Sequence, residues 1–215
     1  NAPYRIHDYS MNLSDPKIDS IAKLRPPHRS VLASAFRTYS DDYTSLIKDS
    51  ALFDRDVLDK ERQRLTTLLR RRGYYAFNRD YLSYIADSSL NRNRVDLNML
   101  LKPYRLQKPD GTVADTLHRQ YYIKDVSIVT DYAPLTLEDN NVMPYDTVRT
   151  GGIHVLYGRT GRSIRPGVLR KSTYIMPGRL YNERTVEQTY ASFATLRALR
   201  NVNIRFSEVE ENDTM

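Results

Sequence analysis

The chain has 215 residues, room for one large domain or two of about a hundred residues each, and 33 Lys+Arg against 26 Asp+Glu give it a net charge of +7. A hydrophobic content of 40% beside 27% charged residues suits a folded chain rather than a disordered one, and no run reaches the roughly 20 apolar residues of a membrane-spanning helix. Cysteine is absent, which excludes disulfides, thiolate metal sites and cysteine nucleophiles, while 17 tyrosines point to sheet faces or a binding surface.

Asn1 to Ile6 has no signal-peptide pattern and reads as the interior of a longer protein. Tyr4 to Met11 alternates apolar and polar side chains, which predicts a strand. Pro16 suits the first turn of a helix running to Ala22, and Val31 to Ile47 reads as a further helix. Asp54 is a helix N-cap, and Phe53 before it can staple onto Leu58. Leu58, Leu65, Leu68 and Leu69 form one apolar stripe that stops at Gly73. A tyrosine-rich strand is expected at Tyr81 to Ala86 and a turn at Asp87 to Arg94. Another strand follows where Val95, Leu97, Met99 and Leu101 alternate with their neighbours. Pro103 to Leu117 reads as a linker with a turn at Lys108-Pro109-Asp110-Gly111.

Tyr121 to Ile128 begins a second strand-led segment. Ile153 to Tyr157, a Gly158-Arg159-Thr160-Gly161 turn and Arg162 to Ile164 read as a hairpin. Pro166 to Lys171 starts a short helix, and Met176-Pro177-Gly178-Arg179 is a connecting turn. Asn182 caps a helix whose stripe is Val186, Tyr190, Phe193 and Leu196 and whose stop is Asn201. Val202 to Phe206 alternates as a strand, and the second module is expected to lack its last one.

These elements repeat. Tyr4-Arg5-Ile6-His7-Asp8-Tyr9-Ser10-Met11 matches Tyr121-Tyr122-Ile123-Lys124-Asp125-Val126-Ser127-Ile128 at an offset of 117. Leu52-Phe53-Asp54 matches Leu180-Tyr181-Asn182 at an offset of 128, and that register carries cap, staple, stripe and stop in order. The difference implies an 11-residue insertion between strand and second helix of the later copy. Ser50 stands where Gly178 stands, so the first copy's turn is expected to differ. The organisation predicted is a module at 1–105, a linker at 106–118 and a module at 119–215. Each module is α+β, ordered strand-helix-helix-strand-strand.

Residues that could carry chemistry are sparse. His7, His28, His118 and His154 are scattered, with no partner at metal-ligand spacing on a helix face. Gly151-Gly152 and Gly158 to Gly161 lack the lysine and hydroxyl ending of a phosphate loop, and no serine sits in a nucleophile elbow. No catalytic residue, metal or cofactor is expected. Arg70-Arg71-Arg72 complements the negative end of its helix. Read instead with the tyrosines from Tyr74 to Tyr84, it would suit a single-stranded nucleic-acid-binding module, the alternative function. The ribonucleoprotein pattern is missing, so no nucleic acid is expected as partner. Small sheets instead leave strand edges open to β-augmentation.

The module pattern resembles the POTRA domains of BamA/TamA-like outer-membrane assembly factors, in style the Bacteroidetes branch. Leu52-Phe53-Asp54, Glu61 to Leu65 and Leu68 to Tyr75 are similar to that family's second helix and its Gly-Tyr-aromatic strand entry. Ile164 to Leu169, Met176 to Asn182 and Leu196 to Leu199 are similar to its first helix, Pro-Gly turn and second helix. The resemblance implies tandem modules with a small mixed sheet and helices on one face. It implies a non-enzymatic periplasmic scaffold, tied to the outer membrane through a barrel outside this chain. Implied partners are unfolded outer-membrane protein segments, that barrel or neighbouring modules, and accessory lipoproteins. The implied peptide-binding edges are Tyr81, Leu82, Ser83, Tyr84, Ile85 and Ala86 in the first module, and Asn203, Ile204, Arg205 and Phe206 in the second. Proline at Ser83 or Ile85 is expected to remove an edge donor.

Overall fold

The computed structural model describes residues 3–24, 43–89, 93–108, 110–130, 146–158, 162, 164–199 and 201–209. The chain divides into two compact units, Asn1–Tyr121 and Tyr122–Met215. Both are α+β, each with a three-stranded mixed sheet and two α-helices among the described residues.

In the first unit the order is β1 (Arg5–Asn12), α1 (Pro16–Ala22), α2 (Arg55–Arg70), β2 (Leu82–Asp87) and β3 (Arg94–Leu101). The sheet runs β1-β3-β2, with β1 parallel and β2 antiparallel to the central strand. Local chemistry sets the helix ends. The Asp15 carboxylate accepts from the Lys17 and Ile18 amides ahead of α1, and Pro16 costs nothing at a position with no intrahelical partner. The Asp54 carboxylate accepts from the Asp56 amide ahead of α2. Gly73, at φ 99°, ends α2 and lets the Tyr74 amide turn back to the Leu69 carbonyl at 3.2 Å. Val95, Leu97, Met99 and Leu101 all face one side of β3 and are buried. Met99 and Leu101 pack with Ile18 of α1 and Leu65, Leu68 and Leu69 of α2, and Val95 and Leu97 pack with Ile6, Ile47 and Leu58, so the stripe expected from the sequence covers the strand. Each such aliphatic burial is worth about 1.5–3 kcal/mol.

The stretch expected to be a linker is instead paired. β4 (Tyr104–Gln107) and β5 (Val113–Thr116) form a hairpin, closed where the Gly111 amide bonds the Lys108 carbonyl at 2.9 Å. The turn was legible. Its flanks hold only four residues each, too short for an alternating signal to stand out. Val31 to Tyr39 lies outside the described residues, as does the rest of the expected helix up to residue 42. Tyr43 to Ile47 is not α-helical.

The second unit follows another order: β6 (Ser127–Val129), β7 (Asp146–Thr150), β8 (Ile153–Tyr157), α3 (Pro166–Ser172) and α4 (Glu183–Ala194). Its sheet is β6-β8-β7, again with the first strand parallel and the last antiparallel to the central one. Ile153 to Tyr157 is a strand as expected, but its hairpin partner precedes it. Gly151 and Gly152, at φ 53° and 86°, make the two-residue turn between β7 and β8. β8 occupies the place of β3, and Ile153, Val155 and Tyr157 are fully buried against Leu169 and Phe193. The expected strand at Asn203, Ile204, Arg205 and Phe206 joins no sheet, because the central strand β8 is already flanked by β6 on one side and β7 on the other. That segment still alternates, with Val202, Ile204 and Phe206 half-buried and the Phe206 ring 5.4 Å from that of Tyr181.

The duplication extends to individual hydrogen bonds. The Ile6 amide bonds the Ala51 carbonyl, and the Ser50 amide bonds the Ile6 carbonyl. At the corresponding positions the Ile123 amide bonds the Arg179 carbonyl, and the Gly178 amide bonds the Ile123 carbonyl. Contrary to expectation the two turns share one conformation: Ser50 sits at φ 64° and Gly178 at φ 74°. The demand for this turn comes from the strand beside it, so Ser50 accepts a left-handed backbone that glycine adopts freely. Asp54 and Asn182 cap equivalent helices through the amides of Asp56 and Arg184. Ile47 and Ile175 are buried alike. Tyr190, expected in the second stripe, is 52% exposed, and Thr189 is buried in its stead. Thr189 corresponds to Glu61: the Leu46 amide bonds the Glu61 carboxylate and the Tyr174 amide bonds the Thr189 hydroxyl, both at 2.9 Å. Pro16 and Pro166 open the first helices 150 residues apart. Set against offsets of 117 and 128, the second unit has 33 residues more before its first helix and 22 fewer between helices. Those two changes make up the net insertion of 11.

Candidate functional site

β2 is the last strand of its sheet among the described residues. Its register with β3 pairs Leu82 with Leu101, Tyr84 with Met99 and Ala86 with Leu97. Just before the strand, the Lys102 amide donates to the Tyr81 carbonyl at 2.8 Å, while the Leu82 amide turns the other way to the Arg79 carbonyl. Peptide groups alternate along a strand, so Ser83 and Ile85 bond inward to β3, and Tyr84 and Ala86 present N–H and C=O outward. Neither outward pair has a backbone partner among the described residues. Proline at Ser83 or Ile85 would therefore break the sheet itself. Ala86 is the residue whose replacement removes an outer donor alone.

Of the six residues expected at this edge, Leu82 to Ala86 lie in β2 and Tyr81 lies in the 3-10 turn that precedes it. Leu82 is buried, Ser83 and Tyr84 are half-buried, and Ile85 and Ala86 are exposed. Beside the edge runs an open groove of about 320 Å³, lined by Arg55, Leu58, Asp59 and Arg62 of α2 and by Leu82, Ser83, Tyr84 and Lys102. Sequence reading missed its helical wall. The signal was available, since residues three and four apart on α2 share a face. Leu58, Leu82 and the Tyr84 ring give the groove an apolar floor. The Tyr84 hydroxyl donates to the Leu58 carbonyl at 3.1 Å, tying strand to helix. Burial, then the neighbouring Tyr9 and Glu61, holds the Tyr84 phenol protonated far above its usual range.

Arg62 fixes the entry of the edge strand. Its guanidinium donates to the Arg79 carbonyl at 2.8 and 3.1 Å and to the carboxylates of Asp59 and Asp80. Arg55 and Lys102 make no side-chain hydrogen bond or ion pair among the described residues, so the groove is basic. Below it Arg64 forks onto Glu61 at 2.7 and 2.8 Å, and both side chains are buried. His118 packs at the foot of the edge, 4.6 Å from the Tyr81 ring and 5.0 Å from Phe77, with Nε2 2.9 Å from the Lys102 carbonyl. Burial lowers its pKa.

Asn203, Ile204, Arg205 and Phe206 do not assemble into an edge. The basic run ends α2: Arg72 donates to the Tyr43 hydroxyl at 2.8 Å and its carbonyl accepts from Gln120. No group of three or more His, Asp or Glu side chains that could hold a metal occurs among the described residues, and no described helix is long and apolar enough to cross a membrane.

No family model and no curated protein matches the chain. Among solved structures it is similar to Haemophilus influenzae BamA POTRA3-5, with 11% identity and a TM-score of 0.48, over 96% of this chain and 56% of that one. It is also similar to the N-terminal domain of Omp85 from the thermophilic cyanobacterium Thermosynechococcus elongatus, with 11% identity and a TM-score of 0.28, over 90% of this chain and 86% of that one. The chain thus spans a little over half the length of the first of these structures.

Proposed function

We propose that this chain is a pair of POTRA-type modules that hold extended polypeptide, serving as a periplasmic scaffold for outer-membrane protein assembly. The first unit takes a segment of unfolded substrate as an added strand on β2. The observation that carries the reading is the coincidence of two features. The outward peptide groups of Tyr84 and Ala86 lie beside a groove with an apolar floor. Backbone bonds to those groups would supply affinity for any extended sequence. The groove would accept every second side chain with mild selectivity, which suits a scaffold that handles many substrates. The role is non-enzymatic, and onward delivery to a barrel or to adjoining modules belongs to the same proposal.

The test uses the position of the unpaired donors. Ala86→Pro removes an outer N–H and leaves the bonds to β3 in place. Binding of a fluorescent unfolded porin-derived peptide should weaken about tenfold, the loss of one or two backbone hydrogen bonds, with the fold retained by circular dichroism. Unchanged affinity in a folded Ala86→Pro protein would remove β2 as the acceptor.

A further inference from the structure

Resting on the polypeptide-binding reading above, we propose that the second unit carries its own acceptor edge at β7, selective for extended segments rich in carboxylates. β7 stands to β8 as β2 stands to β3: last in the sheet among the described residues and antiparallel to the central strand. Its origin differs, since it comes from the inserted hairpin and not from a strand following the helices. The Gly151-Gly152 turn makes Thr150 and Ile153 a bonded pair, so Asp146, Val148 and Thr150 bond inward to β8. Thr147 and Arg149 then face outward, and their peptide groups have no partner among the described residues.

The surroundings set the chemistry of the occupant. α3 packs on β7, and its Arg170 donates to the Gly151 carbonyl at 3.0 Å. From Asp146 to Ser172 the described residues hold five cations, Arg149, Arg162, Arg165, Arg170 and Lys171, against the single carboxylate of Asp146. That carboxylate is already spent on Arg162 at 2.7 Å. Arg149, Arg165 and Lys171 form no ion pair or side-chain hydrogen bond among the described residues. A strand laid on β7 therefore gains backbone bonds to Thr147 and Arg149, and Asp or Glu at its alternate positions on the face opposite α3 gains pairing with the exposed Arg149 side chain.

The experiment uses the full chain and two labelled nine-residue peptides, one alternating valine with glutamate and one valine with glutamine, read by fluorescence anisotropy. The glutamate peptide should bind about tenfold more tightly than the glutamine peptide. With the β2 edge closed by Ala86→Pro, that peptide should still bind, and adding Thr147→Pro or Arg149→Glu to this variant should each weaken it about tenfold. Equal affinity for the two peptides, or glutamate-peptide binding untouched by both β7 variants, overturns the proposal. Loss through Ala86→Pro alone overturns it too, yet leaves the first unit's edge standing. Binding of neither peptide to any form of the protein removes both sites. Self-association of the chain abolished by Thr147→Pro would assign β7 to a second copy and likewise overturn the proposal. If Thr147→Pro unfolds the second unit, Arg149→Glu together with amide shifts at Thr147 and Arg149 decides the matter.

Discussion

Removing the Glu61 carboxylate with Glu61→Ala tests the packing logic and the duplication together. Glu61 is fully buried, receives both arms of Arg64 and accepts the Leu46 amide. Arg64 is 8% exposed, so the variant takes the carboxylate away from a buried cation, a loss of about 3–5 kcal/mol. The unpaired Leu46 amide adds at most about 1–3 kcal/mol, less because that segment is partly wet. The second unit supplies the repair, because Thr189 and Ser192 stand where Glu61 and Arg64 stand, and the Thr189 hydroxyl alone holds the Tyr174 amide. Glu61→Thr combined with Arg64→Ser should therefore cost only about 1–2 kcal/mol, mainly lost packing. Native-state hydrogen exchange at the amides of Leu65, Leu68 and Leu69 reads the local stability. A loss below 1 kcal/mol for Glu61→Ala, or a double variant no more stable than the single one, would refute the reasoning.

Other expectations concern backbone and protonation. Ser50→Gly should raise the unfolding midpoint, by about 0.5 kcal/mol in denaturant titration, because glycine relieves the left-handed strain. Gly178→Ala should lower it by about 1 kcal/mol, a torsional cost alone since a Cβ there meets nothing within 4 Å. His118 has its pKa lowered by burial, although the Lys102 carbonyl and the Asp15 charge act the other way. Its packing against Tyr81 is complete above the ordinary histidine value near 6.5. It weakens as pH falls below that, because the unfolded chain takes the proton first. An NMR titration should place His118 below 6.5, and replacing it with phenylalanine should flatten the acid-side loss of stability. A normal or raised pKa would contradict the packing account.

The helices were legible from sequence because their caps, stripes and stops are local chemistry: Asp54, the leucines of α2 and Gly73 need no distant partner. The order of the second unit was not. Gly151-Gly152 and Gly158 to Gly161 are equally good turns by composition, and the choice falls to pairing partners remote in sequence. β7 contributes one valine to five residues and carries almost no strand signal, so it forms because buried β8 needs a neighbour. Ser50 was misread for a related reason, since the left-handed turn is imposed by β1 rather than by the residue in it. At the edge, Leu82 to Ala86 were evident as a strand. Which peptide groups point outward depends on the register with β3, which alternation of side chains leaves open.

The most direct measurement is amide hydrogen exchange along β2 with and without an unfolded outer-membrane polypeptide. Strand addition predicts new protection at Tyr84 and Ala86, with Ser83 and Ile85 already slow through their bonds to β3. Binding that leaves Tyr84 and Ala86 exchanging as freely as before would contradict it.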